Sequence, residues 1–211
     1  VTKLASARAM AFTKQACAAA MAKPSPASAA HCAAALLKDG KIVVERRQEM
    51  ARGQSEYLMV LIEDLLQEQT LSWADLDAIG VGVGPGNFTG IRICVSAARG
   101  LALGLGIPAI GVNRFDIIAE ATGDSGIPCV NAPQGKYYIQ EPGKDPRLID
   151  ADEAKTLDAS LVLEPEGLNP AISIARLAAQ RSTLDNPRPA PLYIKAADAA
   201  PARDAPPKII A

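Results

Sequence analysis

The chain has 211 residues, enough for one large domain or two small lobes. Hydrophobic residues make up 49% of it but aromatic residues only 4%, so the sequence predicts a core of small side chains. The net charge of −1 argues against binding of nucleic acid by this chain alone, because phosphate neutralisation supplies most of that affinity.

Four cysteines are scattered along the chain without a C-x-x-C pair, at Cys17, Cys32, Cys94 and Cys129. This usage is typical of reduced thiols in a cytosolic protein, and we expect a cytoplasmic location. No continuous apolar run approaches 18 residues, so we predict no membrane-spanning segment.

Residues 1–28 lack acidic side chains and are rich in alanine. We predict an Ala-rich helix or an extension here. A targeting peptide is the alternative, disfavoured because Thr13, Lys14 and Gln15 interrupt the apolar run.

A hairpin is predicted next, with strands over Ala29–Leu37 and Lys41–Glu49 joined by a two-residue turn at Asp39-Gly40. The Arg46, Arg47 and Arg52 side chains on it form either a solvated edge, which we favour, or a binding patch. Gln54–Gln69 then has the apolar periodicity of a helix that must be covered on one side.

The stretch Ala78–Ile107 organises the chain: a short apolar strand, a glycine turn from Gly84 to Asn87, and a long helix. Asn87 or Thr89 can cap this helix. A second strand follows at Ile107–Val112, and the order strand, helix, strand favours a parallel α/β fold.

Beyond Val112 the sequence predicts a helix capped by Asn113 and strands over Ile127–Asn131, Lys136–Gln140 and Arg147–Ile149. Asp150 can cap a small helix, and Asn169-Pro170 begins another that ends near Gln180 or Arg181. The proline-rich residues after Asp185 predict an extended or disordered tail.

Candidate chemistry is sparse. The glycine turn could hold a phosphate, but it lacks the lysine of a Walker loop, and Asn87 breaks the dinucleotide pattern, so close packing is the favoured reason for its glycines. The one histidine, His31, allows no His-based metal site, and we interpret it as a strand residue. We interpret Asp75 and Asp77 as solvated charges, and we predict no metal ligands and no catalytic residues.

The turn and the start of the helix closely resemble the G-P-G-S-F-T-G-[LIV]-R signature of the TsaB family. The corresponding residues are Gly84, Pro85, Gly86, Asn87, Phe88, Thr89, Gly90, Ile91 and Arg92, with Asn87 in the place of the serine. The resemblance continues through Gly100–Gly104 and Pro108–Val112, and it returns at Pro191–Lys195. TsaB proteins are bacterial partner subunits in the synthesis of tRNA threonylcarbamoyladenosine.

The resemblance implies an α/β fold of the actin/hexokinase type, with two ribonuclease-H-like lobes. We therefore divide the chain into residues 1–27 (an extension or aberrant start), 28–112 (first lobe), 113–184 (a shortened second lobe) and 185–211 (tail). It also implies a non-catalytic scaffold that heterodimerises with TsaD and works with the ATPase TsaE. ATP and metal are then expected on those partners. The chain would contact tRNA only as part of the complex. A homodimer is expected when no partner is present.

Pairing in this family is thought to use two helices, which here are Gln54–Gln69 and Gly90–Gly104. The predicted interface comprises Tyr57, Leu58, Leu61, Leu65, Ile91, Val95, Ala98, Leu101, Ala102 and Leu105. Gly100 would allow close approach of the partner helix.

The chain departs from the family pattern where Pro26-Ala27-Ser28 replaces Asp-Thr-Ser, which removes the aspartate of the actin-like phosphate site. Asn131-Ala132-Pro133 likewise replaces Asp-Ala-Arg. The alternatives to the scaffold are an autonomous peptidase, an actin-like phosphotransferase and a decayed, inactive copy.

Overall fold

The computed structural model describes residues 8–15, 31–50, 53–157, 159–182 and 185–194. The elements in chain order are β1 (Arg8–Gln15), β2 (His31–Lys38), β3 (Lys41–Glu49), α1 (Gln54–Glu68), β4 (Ala78–Gly84), α2 (Phe88–Leu105), β5 (Ala109–Asn113), α3 (Arg114–Thr122), β6 (Ile127–Asn131), β7 (Tyr137–Ile139), β8 (Arg147–Ile149), α4 (Ala151–Thr156), β9 (Leu161–Leu163) and α5 (Pro170–Arg181).

The first sheet has the strand order β3-β2-β1-β4-β5. β1, β2 and β3 are antiparallel neighbours, whereas β4 runs parallel to both β1 and β5. Asp39 and Gly40 adopt φ values of 52° and 75°, the left-handed conformation that a tight hairpin turn requires, which confirms the predicted hairpin.

The expectation of a helix or extension over residues 1–28 is wrong for Arg8–Gln15. This segment is the central strand of the first sheet, paired along its length from Arg8 opposite Lys38 to Gln15 opposite His31. Ladder hydrogen bonds from both neighbouring strands outweigh the helix propensity of alanine, which tertiary context commonly overrides. Residues 1–7 and 16–30, which include Cys17 and Pro26-Ala27-Ser28, lie outside the described residues.

Helices cover both faces of this sheet. Cys32, Ala34 and Leu36 of β2 pack into the cluster that contains α1 and α2, and the alternate residues Ala33, Ala35 and Leu37 pack against α5. On β4, an ideal Cβ at Gly80 would lie 2.8 Å from Ala178 Cβ and from Ile174 Cγ2, so glycine lets α5 approach the sheet closely.

The second sheet is smaller, with the order β8-β7-β6-β9. Its first three strands lie where the sequence predicted them. The predicted caps are also present: Asn113 Oδ1 accepts from the Asp116 N–H, and Asp150 Oδ1 from those of Asp152 and Glu153. Asn169, where a helix start was predicted, is a cap too, since its Oδ1 accepts from the Ala171 N–H.

α5 follows the second sheet in the chain but packs on the first. Asn169 before it donates to Glu45 of β3 at 2.7 Å, and Arg181 and Arg176 form ion pairs with Asp116 and Glu120 of α3. The chain therefore crosses between the two sheets more than once.

One helix in the described part of the chain, Phe88–Leu105, is long and apolar enough to cross a membrane by length and composition. Its inner face is buried against the first sheet through Ile91, Cys94, Val95 and Ala98. A core helix passes the same test, so this is weak evidence for a membrane span.

Candidate functional site

The signature turn joins β4 to α2 and is closely packed. Gly84 has a φ of +102°, and an ideal Cβ there would lie 2.7 Å from Ile91 Cδ1 and 3.3 Å from the carbonyl oxygen of Leu192. Both the backbone conformation and the neighbours therefore require glycine at Gly84. Gly84 and Pro85 are buried, whereas Gly86 is exposed.

The start of α2 is capped from within the chain. Asn87 Oδ1 accepts from the Gly90 N–H at 2.7 Å, and the Ile91 N–H donates to the carbonyl of Asn87. Asn87, rather than Thr89, is thus the cap. The Gly90 and Ile91 N–H groups are thus satisfied within the chain, and protein groups fill the space beside Gly84, which favours close packing as the reason for the glycine there.

An aromatic and cationic cluster lies beside the turn. The rings of Phe88 and Tyr193 stack with centroids 4.6 Å apart, and the Arg92 guanidinium lies 3.8 Å from the Phe88 centroid. Arg92 Nε also donates to the Tyr193 hydroxyl at 2.9 Å. Two signature residues, Phe88 and Arg92, thus hold a residue from near the C-terminal end of the described chain.

Sequence reasoning missed the role of residues 189–194, which we name the C-terminal strap. We expected an extended or disordered tail from Asp185, and the strap is indeed without helix or strand. However, its Leu192 N–H donates to the Val83 carbonyl at 2.8 Å, and Pro189 is buried against Gly111. The available signal was the family resemblance at Pro191–Lys195.

Most residues of the predicted partner interface lie in the core of this chain. Seven of them are no more than 7% exposed: Leu58, Leu61, Leu65, Ile91, Val95, Ala98 and Ala102. Tyr57, Leu101 and Leu105 are partly buried against the same cluster. The apolar stripes of α1 and α2 are therefore covered by the first sheet, and these buried side chains cannot be the surface that meets a partner.

The opposite side of α1 and α2, which we name the outer face, carries exposed apolar side chains. Leu103 is 83% exposed, Val60 50% and Met59 36%. The charges on this face are segregated by helix. The exposed ionisable residues of α1 are Glu56, Glu63, Asp64 and Glu68, and those of α2 are Arg92 and Arg99.

An ideal Cβ at Gly100 or Gly104, both on the exposed side of α2, would meet no atom within 4 Å. No described part of this chain packs on Gly100, and the close approach of a partner helix there stays a prediction. Both glycines leave room on the outer face.

The remaining candidates for chemistry are structural. His31 is 1% exposed in β2, and within the described residues no three His, Cys, Asp or Glu side chains cluster as metal ligands. The hairpin arginines that the structure describes are ion-paired, Arg46 with Glu68 and Arg47 with Glu49. Arg52 lies outside the described side chains.

Two acidic groups and one thiol have shifted pKa values. Hydrogen bonds from the backbone and side chain of Ser72 lower the pKa of Asp75, which also pairs with Arg8. Lys144 and Arg147 lower the pKa of Glu141. Burial raises the pKa of Cys129 in β6 to about 11, so its thiol stays protonated and unreactive at neutral pH.

The chain is similar to proteins with known names. The family model described as TsaD: tRNA N6-adenosine threonylcarbamoyltransferase matches residues 41–194. An Escherichia coli protein, "tRNA threonylcarbamoyladenosine biosynthesis protein TsaB", is 31% identical over 141 residues, which are 64% of this chain and 58% of that protein. An uncharacterised Mycobacterium tuberculosis protein is 32% identical over 180 residues, covering 76% of this chain and 83% of its own length.

Two solved structures from Pseudomonas aeruginosa share the fold. A protein described as similar to the peptidase YEAZ superposes with a TM-score of 0.66 at 19% identity, covering 90% of this chain and all of that one. YeaZ itself superposes with a TM-score of 0.60 at 19% identity, covering 89% and 99%. With the family match, this confirms the predicted actin-like, ribonuclease-H-like fold. The chain belongs to the family that the TsaD model describes, and it is similar to relatives named TsaB.

Proposed function

We propose that this chain is a non-catalytic scaffold in the synthesis of tRNA threonylcarbamoyladenosine, where it heterodimerises with TsaD. The observation that carries this proposal is the similarity to an Escherichia coli relative named as a biosynthesis protein of that modified nucleoside. The matched stretch spans 58% of that relative, so its function is transferred here only as a proposal.

The outer face of α1 and α2 is the docking surface we propose for TsaD. It combines exposed apolar side chains, an acidic helix and a helix whose charges are basic, which is the mixture found at specific protein interfaces. A complementary partner would present basic groups to α1 and acidic groups to α2. Without that partner, we expect the same face to pair two copies of the chain.

The other members of the proposed assembly follow from the same hypothesis. TsaE would join through the complex, and tRNA would be bound only there, in line with the net charge of −1. ATP and metal would be held by the partner subunits. We place the assembly in the cytoplasm.

Charge substitutions on the outer face test the docking surface. Leu103→Asp and Val60→Asp should each weaken binding to TsaD of the same organism at least tenfold, about 1.4 kcal/mol or more, since a carboxylate would lose water in an apolar contact. Both side chains are exposed, so the fold should be retained. Leu163→Asp, at another exposed apolar residue in β9, is the matched control. Unchanged affinity of both outer-face variants by calorimetry would reject this surface.

A separate experiment tests the pathway. Expression of this chain should restore threonylcarbamoyladenosine in tRNA of a strain depleted of its own TsaB, as measured by mass spectrometry of digested tRNA. Failure of a well-expressed, partner-binding chain to restore the nucleoside would favour the decayed-copy alternative.

A further inference from the structure

The C-terminal strap contacts both lobes of the molecule, where a lobe is a sheet with the helices packed on it, so that α5 belongs to the first lobe. Its first-lobe contacts are the Leu192 N–H to Val83 carbonyl hydrogen bond at 2.8 Å and the stack of Tyr193 on Phe88. Arg92 of α2 makes a further contact, in which its Nε donates a hydrogen bond to the Tyr193 hydroxyl. The contacts lie at the end of β4 and the start of α2, on opposite sides of the signature turn.

The same short segment packs on the second lobe. Leu192 and Ile194 lie against a buried cluster whose members are Phe115 and Ile118 of α3 and Val130 of β6, with Tyr138 and Val162 at its border. Leu192 belongs to the border of the first-lobe core as well. One side chain therefore touches the cores beneath both sheets.

A second bridge between the lobes is α3. Its Ile117 packs with α5 on the first sheet, whereas Phe115 and Ile118 face the second-sheet cluster. A single bridge allows two lobes to rotate about it, but two connections at different places restrict that rotation.

We propose that the C-terminal strap is a clasp that fixes the orientation of the two lobes. With the clasp in place, the two lobes move as one body. This inference concerns motion within the chain and does not depend on the proposed function. The competing explanation is that the strap only covers apolar surface, with no effect on the lobe orientation.

The clasp predicts how the distance between the lobes responds to single substitutions. Spin labels would be placed on Val43→Cys in β3 and Leu163→Cys in β9, at exposed residues of the two lobes, in the Cys17→Ser chain. Cys32, Cys94 and Cys129 are buried and should stay unlabelled. Pulsed dipolar spectroscopy then gives the width of the distance distribution.

Tyr193→Ala removes a contact on the first-lobe side and Ile194→Ala one on the second-lobe side. Each should widen the distribution about twofold, and the double variant should widen it no further, because a clasp opened at one end is already open. Ala190→Ser, an exposed residue of the same segment, should leave the width unchanged.

Circular dichroism establishes that each variant is folded. Unchanged widths in both folded single variants, or widths that add in the double variant, would overturn the clasp. Should Ile194→Ala fail to fold, Ile194→Val replaces it, since it removes one methyl group from the second-lobe contact and keeps a branched apolar side chain there. An unchanged width in Ile194→Val together with Tyr193→Ala would then reject the proposal.

Discussion

Gly84 and Gly86 lie two residues apart in the signature turn, yet the structure constrains them differently. A side chain at Gly84 would meet Ile91 at 2.7 Å on a backbone with φ +102°, whereas one at Gly86 would meet only Ile91 Cδ1 at 3.8 Å. The sequence pattern marks both equally as glycine. Only the packing separates the residue that needs glycine from the one that tolerates a methyl group.

We therefore predict that Gly84→Ala lowers the free energy of unfolding by about 1–3 kcal/mol, from left-handed backbone strain and the Ile91 contact. Gly86→Ala should change it by less than about 0.5 kcal/mol. Urea denaturation of both variants measures the difference. Equal effects would mean that the turn does not pack as described.

At the scale of elements, glycines distinguish a tight helix–sheet contact from an open helix surface. Gly80 in β4 is enclosed by Ala178 and Ile174 of α5, so Gly80→Ala should push α5 outward and cost about 1–3 kcal/mol. Thermal denaturation with a circular dichroism signal is the measurement. A stabilised Gly80→Ala protein would contradict the described packing of α5.

Gly100 in α2 is the opposite case, because nothing lies within 4 Å of its ideal Cβ. Gly100→Ala should raise the free energy of unfolding by about 0.5–1 kcal/mol through helix propensity. If TsaD docks closely on the outer face, the same variant should bind it more weakly despite its greater stability. Calorimetry of unfolding and of binding separates the two effects, and a loss of stability would contradict the open surface.

At the scale of the whole molecule, burial of Cys129 makes stability depend on pH. Burial raises the pKa of its thiol from 9.0 to about 11, so above pH 9 the unfolded chain loses this proton before the folded one does. The contribution is fully present below pH 9 and is lost as the pH rises through about 11. The free energy of unfolding should fall by up to about 2 kcal/mol over that range.

Cys129→Ala isolates this thiol from the other groups that titrate at high pH. The free energies of unfolding of the original chain and the variant, measured in urea from pH 8 to pH 11, should converge as the pH rises. Parallel profiles would show that the Cys129 thiol does not titrate with the predicted shift.

Local signals in the sequence determined most helices and strands of the described chain. Asn113 and Asp150 cap helices as predicted, and Asn87 is the cap of the two candidates, because a side-chain oxygen beside free N–H groups acts within a few residues. The Asp39-Gly40 turn is equally local. The signature residues pointed to the family that the comparisons then supported.

The tertiary structure decided what those elements contact. Helical periodicity showed that α1 and α2 each bury one side, but it could not distinguish the sheet of the same chain from a partner. Seven of the ten predicted interface residues are therefore core residues. β1 has no strand periodicity and is extended only because β2 and β4 pair with it. Tyr193 meets Phe88 only in the folded chain, since a contact between residues about a hundred positions apart leaves no local pattern.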